Sequence, residues 1–167
     1  MNALSSSSAM AGKICLVTGA TAGIGKVTAT VLAAQGAEVL VAGRNQQKAD
    51  ETVSWIKSET GNSAVQYLLA DFSDLGQVRD LASECKERAS RLDVLVNNAG
   101  GFFNTRRETP YGVEMTLLVN HLAPFLLTNL LLETLQGSAP ARIVNVTSAA
   151  HEYATIDFDD LRFKRGY

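Results

Sequence analysis

The stretch TGATAGIG, residues 18–25, lies between an apolar run, KICLV, and a segment rich in Ala, Val and Leu. A strand that ends in a glycine-rich turn and opens directly into a helix is a place where backbone can approach a phosphate. Gly19 permits the tight turn, and Gly23 and Gly25 allow close approach to a pyrophosphate and close packing of helix on strand. The helix N-terminus adds free N–H groups and the positive end of the helix dipole. Thr18, Gly19, Thr21, Gly23, Ile24 and Gly25 are the candidate contacts. The competing reading is a plain glycine-rich turn.

Outward from this turn the chain alternates short β-like runs with longer helical ones. KICLVTG is a strand, and a helix from Ile24 to about Gln35 stops at Gly36. AEVLVAG is the second strand, followed by a polar helix from about Gln46 to Thr60 and a Gly61-Asn62 stop. AVQYLLA is the third strand, and Asp74 is placed to cap a helix from about Leu75 to Ala89. LDVLVNN is the fourth strand, AGGFFNTRRETPYG a loop, and Val113 to Leu135 a long apolar helix with a bend at Pro124. RIVNVTS is the fifth strand. No periodicity follows Ser148. Four of these strands are near-continuous apolar runs, the pattern of a parallel sheet covered on both faces. The expected fold is therefore α/β: a doubly wound, Rossmann-type parallel sheet in three α/β/α layers. Residues 1–12 form an expected flexible lead, and residues 13–167 one domain.

Composition narrows the function. Fifteen basic against 17 acidic residues, a net of −2, give no electrostatic case for nucleic acid or an anionic membrane. MTLLVNHLAPFLLTNLLLETL is long and apolar, but Asn120, His121, Thr128, Asn129 and Glu133 interrupt it, so a buried helix is expected rather than a membrane span. Cys15 and Cys85 make no disulfide framework, and Cys15 is expected to pack as a small hydrophobe. The expected location is cytoplasmic. His121 and His151 lack metal-ligand spacing, so no metal site is expected. Trp55 reads as a packing residue on an amphipathic helix.

The glycine spacing is TGxxxGxG, not GxGxxG. It resembles the motif of the short-chain dehydrogenase/reductase family. Asn97-Asn98-Ala99-Gly100 after strand four, Asn120 in LVNH and Ser148 after IVNVT match further motifs of that family in order. GIGKVTA, AGRN, VNHLAPFLLTNLLL, IVNVTSAAH and IDFDDL resemble its retinol dehydrogenase-like branch, which includes the WW-domain oxidoreductases. The resemblance implies a nicotinamide cofactor, with Asn98, Ala99 and Gly100 among its contacts, and hydride transfer between an alcohol and a carbonyl, here a lipophilic one. It implies that Ser148 hydrogen-bonds the substrate oxygen and that Asn120 supports the link to a lysine. That lysine belongs to a YxxxK motif whose tyrosine donates the proton.

The cofactor's phosphate can be argued physically. Arg44 follows strand two, where an adenosine ribose would lie, and no carboxylate stands there. Arginine pairs with a 2′-phosphate, so NADP(H) is favoured over NAD(H). The alternative is a solvated arginine at a helix start. Asp71 resembles the family's adenine-contacting aspartate, and alternatively serves a turn or cap with Phe72 and Ser73.

No YxxxK occurs in these 167 residues. Tyr153 is followed at the fourth position by Asp157, and Tyr167 has no residue after it. Tyr167 resembles an extra aromatic that the branch often places shortly before its catalytic tyrosine. The expectation is a chain that stops short of that motif, lacking C-terminal strands and leaving strand five as an open edge. An oxidoreductase is the first reading, and a dinucleotide-binding module or non-catalytic fragment the second. A small-molecule alcohol or carbonyl is the expected partner, with homo-oligomers possible at full length.

Overall fold

A computed structural model describes residues 8–167 of the chain. The part of the expected lead before Ser8 lies outside the described residues. Residues 10–12 form an ordered turn, because the Met10 N–H donates to the Gln35 carbonyl at 3.0 Å and the Met10 side chain packs on the core.

Five parallel strands form one sheet: β1 Ile14–Thr18, β2 Glu38–Gly43, β3 Val65–Leu69, β4 Val94–Asn97 and β5 Arg142–Asn145. Their spatial order is β3-β2-β1-β4-β5, with β1 at the centre. Four helices cover it: α1 Gly23–Ala34, α2 Gln46–Thr60, α3 Leu75–Arg88 and α4 Met115–Gly137. Alternate strand residues face opposite sides. Cys15, Val17, Val39 and Val41 pack beneath Ala29, Ala33, Val53 and Ile56 of α1 and α2. Leu16, Leu40, Leu68 and Leu95 pack beneath Leu81, Cys85, Leu127 and Leu131 of α3 and α4. Double coverage is why the strands read as unbroken apolar runs.

Caps set the helix ends. The Asn45 side chain accepts from the Lys48 N–H at 2.9 Å, and Asp74 accepts from the Gly76 N–H at 2.8 Å. Gly61, at φ +69°, closes α2. Ala22, before α1, provides no side-chain cap.

Five expectations need correction. The apolar helix starts at Met115 rather than Val113, because Glu114 turns out of the helix to cap it, and it runs on to Gly137. Its irregularity lies before Pro124, as a π turn over Leu118–Leu122, and Pro124 occupies the first turn of the regular helix beyond. Only one face of α4 is buried, through Ala123, Leu127, Leu131 and Leu135, although its length and apolarity would suit a membrane span. β5 ends at Asn145 rather than Ser148, and all four of its residues are exposed at the sheet edge. Trp55 is 41% exposed and carries the Lys26 ammonium 4.0 Å above its ring, so it is a surface cation–π partner rather than core. Cys15 and Cys85 are both buried. Burial pushes their thiols up to about 12 and about 11, so neither is a thiolate near neutral pH.

Candidate cofactor and active site

The carboxyl ends of β1 and β4 are stitched together by side chains. Thr18 is fully buried, and its Oγ1 donates to the Val96 carbonyl at 3.2 Å. The same oxygen accepts from the Asn98 and Ala99 N–H groups at 3.0 and 2.9 Å. Asn98 Nδ2 donates to the carbonyls of Thr18 and Gly19 at 2.9 and 3.2 Å. The NNAG turn therefore braces the glycine turn from behind.

This bracing explains two of the glycines. A Cβ on Gly19 would lie 2.8 Å from Ala99 Cα, and Gly19 also has φ +62°. A Cβ on Gly25 would lie 2.4 Å from Asn98 Nδ2. Gly23, at φ +53°, faces open space, with nothing within 4 Å of where its Cβ would be. The turn is thus filled behind and open in front. The open side is the start of α1, the one helix of the first three without a side-chain cap. Its first N–H groups are left for an external acceptor, as an anion requires. These residues fit the pyrophosphate of a dinucleotide.

Thr21 sits against the end of β2, where a Cβ on Gly43 would come within 2.5 Å of Thr21 Cγ2. Exposed Arg44 follows directly, beside the same turn, and Ile24 is 67% exposed at the start of α1. Asp71 follows β3 by two residues. Its Oδ1 accepts from the Ser73 N–H at 2.8 Å and from Ser73 Oγ at 2.7 Å, which is turn chemistry.

A cleft of about 600 Å³ opens between α4 and the ends of β4 and β5. Asn98, Ala99, Gly100, Asn120, His121, Phe125 and Ser148 line it. Asn120 grips the loop after β4 with both ends of its amide. Its Oδ1 accepts from the Gly101 N–H and its Nδ2 donates to the Gly101 carbonyl, each at 2.9 Å. Ser148 is exposed at the cleft wall, and its Oγ accepts from the Ala150 N–H at 3.2 Å as the cap of a short 3-10 turn, Ala149–Glu152. His121 is an exposed cleft residue stacked on Phe125, with ring centroids 6.4 Å apart, not a packed one. His151 lies outside the cleft lining, its Nδ1 against the Ser148 carbonyl.

The floor holds polar residues to which the sequence assigned no role in the site. Asn97 Nδ2 donates to Thr128 Oγ1 at 3.0 Å and to Asn145 Oδ1 at 2.9 Å, while its own buried Oδ1 has no protein partner. A polar residue closing each of two apolar strands, with Thr128 inside an apolar helix, was the available signal. Glu114 was also missed. It is fully buried at the start of α4, and burial disfavours its charge, yet the N–H groups of Thr116 and Leu117 outweigh this and hold its pKa below the usual range. Among the described residues no three His, Cys, Asp or Glu side chains cluster as a metal site would need.

Such a sheet, with a braced glycine turn at β1 and a polar cleft at the ends of β4 and β5, defines a dinucleotide-binding α/β domain. The short chain dehydrogenase family model matches residues 13–158, and the chain belongs to that family. It is 44% identical to human retinol dehydrogenase 13 over 92% of its own length and 46% of the relative's. It is 42% identical to human polyprenol dehydrogenase over 93% of this chain and 48% of that one. The chain spans about half the length of the curated relatives it matches. Among solved structures, the Pseudomonas aeruginosa RhlG/NADP active-site complex superposes with a TM-score of 0.77 at 32% identity, covering 94% of this chain and 62% of that one. A 7 alpha-hydroxysteroid dehydrogenase complexed with NADH and 7-oxo glycochenodeoxycholic acid also gives 0.77, at 27% identity, covering 97% and 62%.

Proposed function

We propose that this chain is the cofactor-binding part of an NADP(H)-dependent oxidoreductase that interconverts an alcohol and a carbonyl on a lipophilic substrate. The carrying observation is the uncapped N-terminus of α1 behind an open, left-handed Gly23. That arrangement leaves N–H donors for a pyrophosphate, while Thr18 and Asn98 fix the turn that presents them. The nicotinamide, when bound, supplies or accepts the hydride. Ser148 Oγ, on the cleft wall, would hydrogen-bond the substrate oxygen, and Asn120 anchors the loop that borders the same cleft. Exposed Phe102 and partly buried Phe103 give that loop an apolar character suited to a lipophilic ligand. Structural relatives hold NADP in one case and NADH in another, so the preference rests on Arg44.

The test is a titration of both cofactors. Arg44→Asp is expected to weaken NADPH binding by about one to two decades, the worth of a charge-assisted contact, and NADH binding far less. Equal losses would remove Arg44 as the selector. A second reading, dinucleotide binding without turnover, draws on the lack of a YxxxK motif in these 167 residues. Aldehyde reduction by the purified chain, lost in Ser148→Ala, would reject that second reading.

A further inference from the structure

Tyr167 closes a ring of hydrogen bonds around the loop that Asn120 holds. Its hydroxyl donates to the Phe103 carbonyl at 2.8 Å. It also lies 3.0 Å from Thr116 Oγ1 and 3.2 Å from Glu114 Oε1. The hydroxyl has one proton, and the shortest contact assigns it to Phe103, so Thr116 is the donor to Tyr167 or to Glu114. Glu114 caps the start of α4 and Thr116 lies in its first turn, and Asn120 follows one turn later on the same helix. Asn120 in turn clamps Gly101, which is separated from Phe103 only by Phe102. The path from Tyr167 through Phe103 and Gly101 to Asn120, and back along α4 to Thr116, is closed.

We infer that Tyr167 is a positioning residue for Asn120. This assignment rests on the reading of Asn120 as part of the active site, but the link itself is a matter of geometry. The loop between Gly101 and Phe103 is pinned at one end by the Asn120 amide and at the other by the Tyr167 hydroxyl. Freeing the second pin lets the loop swing and carry the Gly101 backbone away from the Asn120 side chain. Two further contacts hold Tyr167 in place. Arg106 Nε donates to the Arg162 carbonyl at 2.8 Å, binding the same two segments. Phe163 meets the Tyr167 ring edge-on, at 6.0 Å between centroids.

The Gly101 N–H, which donates to Asn120 Oδ1, is a direct reporter. Tyr167→Phe keeps the ring and removes only the hydroxyl. Amide exchange followed by NMR on the 167-residue chain should then show the Gly101 N–H exchanging about tenfold faster, the scale of one neutral hydrogen bond. The Ala99 N–H, held by Thr18 Oγ1, should keep its wild-type rate. In an Asn120→Ala background, where Gly101 has already lost its acceptor, adding Tyr167→Phe should accelerate Gly101 no further. An unchanged Gly101 rate, an equal acceleration in both backgrounds, or a matching acceleration at Ala99 would each overturn the assignment. NADPH titration of the same samples separates the two readings: absence of binding in the wild type, with the expected exchange pattern, rejects the cofactor proposal and leaves the Tyr167–Asn120 link standing.

Discussion

Gly23 and Gly25 are two residues apart in the turn, and their backbones face different surroundings. At Gly23 the conformation is left-handed and the space in front is empty; at Gly25 the limiting contact is Asn98 Nδ2. Gly23→Ala should therefore cost about 1–2 kcal/mol of stability, the strain of a left-handed alanine, and should weaken dinucleotide binding because the methyl enters the open side. Gly25→Ala should cost more, about 3 kcal/mol, because Asn98 and the Gly19 carbonyl must both move. Urea unfolding of the two variants measures the order, and a larger loss for Gly23→Ala would refute it. The glycine spacing was legible in the sequence because a turn is local. What the glycines press against was not, since Asn98 is distant in the chain and its grip on Thr18 is a fact of the fold. Glu114 was illegible for a related reason: a buried carboxylate looks like any surface glutamate until its N–H donors are placed.

Between elements, Asp93 is a buried polar tie. It is 2% exposed, and it accepts from the Ile14 N–H at 3.0 Å, Lys13 Nζ at 2.9 Å and Arg91 Nε at 2.9 Å, fastening the start of β4 to the start of β1. Burial pushes its pKa up, but Arg91, the Ile14 N–H and Lys13 prevail and hold it at about 2. A folded-state pKa below the unfolded one gives stability that is complete above about pH 4 and is lost as pH falls through about 2, here roughly 2 kcal/mol. Urea midpoints between pH 2 and 5 should fall more steeply for the wild type than for Asp93→Asn, and parallel curves would contradict this. In the core, Leu127→Ala in α4 should cost about 2–5 kcal/mol, since Leu127 is fully buried against α3 and the sheet. Sequence periodicity found α1 to α3 nearly to the residue, because caps and glycine stops mark them. It misplaced the irregularity of α4, because Pro124 is a local signal whereas the π turn presents Asn120 to a loop. It also made β5 too long, since an apolar run does not reveal where pairing with β4 ends.

For the molecule as a whole, one flank stands uncovered. β5 exposes Ile143 and Val144, and Phe125 and Leu132 of α4 are also exposed. Apolar surface at a sheet edge favours association, so light scattering should rise with concentration for the wild type and much less for a Phe125→Glu, Val144→Lys variant. Equal scattering by both would dissociate this flank from solubility. The topology has a temporal side as well. The central strand β1 finds β2 early, with Cys15 beside Val39, but its other neighbour comes late, with Cys15 beside Val94. During synthesis from the N-terminus, β1, β2 and β3 can pair while β4 is still inside the ribosome. For that interval the future centre of the sheet is an open edge, and the Asp93 tie that later seals it does not yet exist.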